Sequence, residues 1–161
     1  MKAIGLDGKE RSWNLSKYRN NKNSSRPRSQ YHIKTRNLLR KIYPRDKILE
    51  EVSLPGSSTE TRKSTLFADF FIPNRSLVVE VHGQQHYEYN AFYHKKKINF
   101  YKSQARDRDK LEWCCLNDIR IVVLKYSDDL EEWERQIKYD SAGTNQKRYS
   151  GRRHGNSRSG I

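Results

Sequence analysis

The densest apolar runs of the chain are Leu66-Phe67-Ala68-Asp69-Phe70-Phe71-Ile72 and Leu77-Val78-Val79-Glu80-Val81-His82. Both are rich in aromatic and β-branched residues, and the turn-forming Pro73-Asn74-Arg75-Ser76 lies between them, so the pattern predicts an antiparallel hairpin. With that tetrapeptide as the loop, Ile72 faces Leu77. Counting back places Asp69 across from Glu80 and Phe67 across from His82. Side chains alternate along a strand, so His82 shares a face with Glu80.

Helical spacing brackets the hairpin. Tyr31, Thr35, Leu38, Leu39 and Ile42 recur at steps of three and four with Lys34, Arg36, Arg40 and Lys41 on the other face, which predicts a helix from Ser29 to Pro44. Lys47–Leu54 is the next strand, closed by Pro55-Gly56. Phe100–Asn117 reads as a second helix with Phe100, Leu111, Cys114 and Cys115 on its apolar side, and Asp107 falls on the same line. Ile119–Lys125 is a nearly continuous apolar strand, and Asp128–Ile137 a short acidic helix anchored by Leu130 and Trp133. A helix feeding such a strand predicts a crossover and a mixed sheet with helices packed on it, an α/β fold.

The ends differ in character. Residues 1–29 read as a basic N-terminal arm or DNA-contacting segment. Gly5–Lys9 is a tight turn between two short extended pieces, and Trp13 and Tyr18 suit either packing on the domain or stacking on bases. The domain proper spans 30–137, and 138–161 reads as a disordered basic tail.

Charge changes the picture further. The 161 residues contain 33 Lys and Arg against 19 acids, a formal net charge of +14. Such a balance predicts a polyanionic partner, with double-stranded DNA as the default and the oligomeric state, monomer or homodimer, open. No stretch is apolar enough to span a bilayer, and the N-terminus lacks the apolar core of a secretory signal. Cys114 and Cys115 are adjacent and form no useful staple, so an intracellular setting is expected. Arg26 and Arg28 in the arm, Arg106, and Lys95-Lys96-Lys97 beside Tyr87, Tyr89, Phe92, Tyr93 and His94 are the candidate phosphate contacts. A loop packed by its own tyrosines is the alternative for the last group.

The candidate chemistry starts from Asp69 and Glu80. Paired side chains have Cβ atoms about 4.5–5.5 Å apart, and like charges there repel. Compensation comes from protonation, from a neighbouring Lys or Arg, or from a divalent cation held by both. His82 on the same face favours the cation. Asp107 on a core-facing stripe is directed at the site or pairs with Lys110 on the helix surface.

The order helix, strand, Asp-bearing strand, Glu-x-His strand, Asp-bearing helix, strand resembles the PD-(D/E)XK nuclease superfamily. Within it, the chain is most similar to the very-short-patch-repair-like and phage-type EDxHD homing endonucleases. Ala68-Asp69-Phe70-Phe71-Ile72-Pro73, Val79-Glu80-Val81-His82-Gly83-Gln84-Gln85-His86-Tyr87 and Arg106-Asp107-Arg108-Asp109-Lys110 carry the likeness over about residues 30–126. The resemblance implies a restriction-endonuclease-like mixed β-sheet core flanked by helices. It also implies one or two magnesium ions held by Asp69, Glu80 and the Val81 carbonyl, with His86 as general base and Asp107 as the acid of the later helix; hard carboxylate oxygens suit manganese as well. His82 stands where many relatives have lysine, and the family's first-helix glutamate has no counterpart, so Glu50 or Glu51 would substitute for it.

Phosphodiester hydrolysis needs a nucleophile, neutralised charge at phosphorus and help for the leaving oxygen. A cation between Asp69 and Glu80 supplies the second and acidifies a water. His86 or His82 takes that water's proton, with Gln85 orienting the phosphate or the water. The chain is therefore expected to be a divalent-metal-dependent DNA endonuclease of the phage-borne homing kind. A mismatch-repair nickase or junction resolvase with the same site is the alternative among enzymes, and a non-enzymatic basic nucleic-acid-binding protein is the alternative outside them.

Overall fold

The computed structural model describes residues 1–18 and 28–139, so Arg26 and residues 140–161 lie outside the described part. The described residues form an α/β unit with a mixed four-stranded sheet. Its elements are β1 (Lys2–Ile4), β2 (Glu10–Ser12), α1 (Gln30–Ile42), β3 (Leu49–Ser53), β4 (Phe67–Ile72), β5 (Leu77–His82), α2 (Ala91–His94), α3 (Lys97–Leu116), β6 (Arg120–Lys125) and α4 (Leu130–Tyr139). The order in the main sheet is β3-β4-β5-β6. The first three strands are antiparallel, and β6 runs parallel to β5 after the α3 crossover.

The central hairpin forms in the expected register, with Ile72 paired to Leu77 and Phe70 to Val79. Pro73–Arg75 makes a short 3-10 turn that Ser76 closes in the left-handed region at φ 45°. Upstream, Ser29 accepts the His32 N–H at the start of α1, the side-chain cap expected of serine there.

Alternation along the strands divides the core into two layers. Phe70, Ile72, Leu77, Val79, Val122 and Leu124 face Leu38 and Leu39 of α1 and Trp133 and Ile137 of α4. Phe71, Val78 and Ile121 face Trp113 and Cys114 of α3. Trp113, which the helical stripe read from the sequence did not include, is fully buried.

The N-terminal residues join this second layer. β1 and β2 form their own ribbon around the turn at Gly8 (φ 79°). Trp13 stacks on Phe71 (centroids 4.8 Å apart) and meets Trp113 edge-on, while its indole N–H donates to the Ser53 carbonyl. Of the two uses open to Trp13, the structure has it packed on the domain. Tyr18 does the same, bonded through its hydroxyl to Ser53. The body of the protein therefore includes residues 1–18, ahead of the boundary expected at residue 30.

Candidate active site

The face of the sheet that meets α3 carries Asp69, Glu80 and His82. On β5, Val78, Glu80 and His82 point to that side, and on β4 Phe71 and Asp69 do. Glu80 is only 2% exposed. A carboxylate in that setting keeps its charge only with a partner.

The β4–β5 ladder opens at the acids. Its last pair is Phe70–Val79. Beyond it the Val81 N–H donates to Asp69 Oδ2 (3.0 Å), and the Asp69 N–H donates to Glu80 Oε1 (3.2 Å). Side chains thus replace the backbone as acceptors where the strands part. On the other side of β4, the pairs Glu50–Phe70 and Val52–Ala68 bracket the Glu51–Asp69 position, where Glu51 has a left-handed backbone (φ 49°). Such a conformation is costly for a residue with a Cβ and gathers at functional sites. Because the ladder has opened, Phe67 does not pair with His82; it lies beside Ser53 of β3 and is half exposed.

Two groups of α3 reach down to this opening. Lys110 Nζ donates to Glu80 Oε2 at 2.9 Å, with both side chains largely buried. Of the three ways to relieve the repulsion between Asp69 and Glu80, the structure contains a lysine. Asp107, one turn earlier, accepts from His86 Nδ1 at 2.9 Å through Oδ2 and lies 3.8 Å from His82 Nε2 through Oδ1. The His82 and His86 rings stack with centroids 3.9 Å apart. A surface pair between Asp107 and Lys110 was the alternative for both, and neither is used that way.

Electrostatics separates the roles. Burial, reinforced by the charge of Asp69, pushes the Glu80 carboxyl up. Burial works against the Lys110 ammonium too, but the charges of Glu80 and Asp69 outweigh it and raise its pKa. Burial lowers His82 to about 4, with Asp107 opposing, so His82 is neutral at neutral pH. His86 donates its Nδ1–H to Asp107, which leaves Nε2 as the ring's acceptor. A cleft of about 230 Å³ opens beside these groups, lined by Glu80, His82, Asp107 and Lys110 with Leu111 and Val123.

Two places suit a cation. The ligand atoms of His82, His86 and Asp107 all lie within 4.8 Å of one another, the one such group among the described residues. Asp69 and Glu80 offer hard carboxylate oxygens on one face, with the Val81 backbone beside them.

Other expected residues lie elsewhere. Glu50 is on the opposite face of the sheet, bonded to His32 (2.7 Å) and Arg36 (2.9 Å), with His32 stacked on Phe70. Glu51 pairs with Arg28. Both acids thus already have cationic or imidazole partners, and the Arg28 side chain beside Glu51 is only 10% exposed. The Gln85 side chain folds back over Gly83, where its Oε1 would lie 2.6 Å from an added Cβ. Lys95, Lys96, Lys97 and Arg106 are exposed, the lysines at the α2–α3 junction. Lys110 is the site residue the sequence reading passed over. Its signal was the step of three from Asp107 and four to Cys114, which puts it on the core-facing stripe.

Among the described residues no helix is long and apolar enough to cross a membrane. No protein-family model and no solved structure matches the chain. Two viral proteins are similar to it over part of their length. It is 33% identical over 69 residues to uncharacterized protein 033L of invertebrate iridescent virus 3, a match covering 43% of this chain and 36% of that protein. It is 32% identical over 73 residues to uncharacterized protein 307L of invertebrate iridescent virus 6, covering 45% and 37%. The match thus spans little more than a third of each viral relative.

Proposed function

We propose that the chain is a divalent-metal-dependent DNA endonuclease that hydrolyses phosphodiester bonds, of the phage- or virus-borne homing kind. The observation that carries this reading is the meeting of a His86–Asp107 pair with the Asp69–Glu80 acids on one face of the sheet, beside an open cleft. A half-buried imidazole bonded to a carboxylate through one nitrogen is oriented to take a proton at the other.

The donor set suits magnesium or manganese, held by Asp69 and Glu80 with the Val81 carbonyl on the same side of its strand as the amide that Asp69 accepts. When bound there, such an ion supplies positive charge at phosphorus and acidifies a water. The chain's own residues do the rest. His86 takes the proton of the attacking water at Nε2, and Asp107 balances the imidazolium that results. His82, held neutral, fixes the plane of His86 by stacking without adding a competing charge. Gln85, whose side chain lies over Gly83 in this structure, turns from there to orient the phosphate or the water. Lys95, Lys96, Lys97 and Arg106 follow the DNA backbone.

A second reading has its own support, because Lys110 already balances Glu80 without any metal. On that reading the acids are structural and the protein binds nucleic acid without cutting it. Supercoiled plasmid separates the two. The endonuclease nicks or linearises it with magnesium, and loses this with EDTA or as Asp69→Ala. Binding without metal-dependent nicking favours the second reading, and nicking that survives Asp69→Ala removes the proposed site.

A further inference from the structure

We propose that Lys110 is an internal counter-ion that holds the place of a divalent cation beside Glu80, so that metal enters the site only by exchange with the lysine ammonium. The inference rests on the reading of this face as a cation-assisted hydrolytic site. It adds a positioning residue that acts through Glu80.

Both oxygens of Glu80 are engaged, Oε1 by the Asp69 N–H and Oε2 by Lys110 Nζ at 2.9 Å. A magnesium-type ion sits about 2.0–2.1 Å from its carboxylate oxygens. An ion at that distance from Oε2 would share the oxygen with the ammonium and lie a few ångströms from it. Two cations so close in a largely buried site repel strongly, since little water screens them. The lysine therefore has to leave as the metal arrives.

The fold provides a destination. Lys110 follows Asp107 by three residues on α3, one turn along the same helix face. The cleft that both residues line gives its flexible four-carbon stem room to move. The ammonium passes from Glu80 toward Asp107 and stays within the acid cluster throughout. The metal-free protein thus never exposes an uncompensated pair of buried carboxylates.

The test is Mn²⁺ binding, read by the electron paramagnetic resonance of free ion, in the wild type and in Lys110→Met. Removing the competing charge is expected to tighten Mn²⁺ binding by about tenfold or more. Equal or weaker binding by Lys110→Met overturns the exchange while leaving the hydrolytic reading to the plasmid assay. Absence of Mn²⁺ binding in both forms overturns both. Should Lys110→Met fail to fold, the wild type decides. In ¹⁵N-lysine-labelled protein the Lys110 ammonium resonance, assigned by its loss in Lys110→Arg, shifts on Mg²⁺ addition if the exchange occurs. A resonance that does not move overturns the proposal.

Discussion

His82 and His86 are stacked imidazoles with different environments, and the difference sets what each does. His82 is enclosed between the sheet and α3, and burial holds its pKa near 4 against an ordinary 6.5. Between those values the unfolded chain binds a proton that the folded protein refuses. The stability His82 contributes is thus complete above about pH 6.5 and drains away as the pH falls toward 4, up to about 3 kcal/mol. Chemical denaturation of wild type and His82→Gln at pH 7 and pH 5 measures this, and the variant is expected to lose the difference between the two. His86 depends on Asp107. Asp107→Asn is expected to slow cleavage on the order of a hundredfold or more while leaving DNA binding intact, as single-turnover rates and a binding isotherm would report.

Strands and helices bring these residues together from positions far apart in sequence, and the elements differ in how far local pattern reveals them. The hairpin was legible because Pro73-Asn74-Arg75-Ser76 is turn chemistry and the register follows from it by counting. Asp107 was legible because an acid interrupts an apolar stripe. Lys110 was not, since a lysine three residues from an aspartate reads equally well as a surface pair until β5 is laid beneath the helix. Glu50 and Glu51 were ambiguous for a related reason. Alternation gives two faces without saying which meets α3, and His32 and Arg36 of α1 decide the matter for Glu50. The N-terminal ribbon is too short for any period, and its anchor, Trp13, finds Phe71 and Trp113 only in the folded state. Trp13→Ala is expected to cost about 3–5 kcal/mol of unfolding free energy in urea, the penalty of emptying a buried aromatic site. A change of a few tenths would show that the ribbon is an appendage.

For the whole molecule, the exposed lysines and the proposed cutting site occupy different places, the surface at the α2–α3 junction and one interior face of the sheet. With a formal net charge of +14, binding to duplex DNA is expected to weaken steeply with salt. Replacing Lys95, Lys96 and Lys97 together by alanine should reduce the slope of log K against log salt by about 2 to 3. Arg28→Ala, which removes the partner of Glu51, should leave the slope unchanged. The proposed cutting site lies on the α3 face of the sheet and not on the α1 face, although each buries a carboxylate beside a histidine. Single-turnover cleavage of an end-labelled duplex by Asp69→Asn and Glu50→Gln, both checked for folding, tests it most directly. Asp69→Asn is expected to lose at least about a hundredfold in rate, and Glu50→Gln to cut near the wild-type rate. Equal losses in the two variants, or full activity in Asp69→Asn, would contradict this placement.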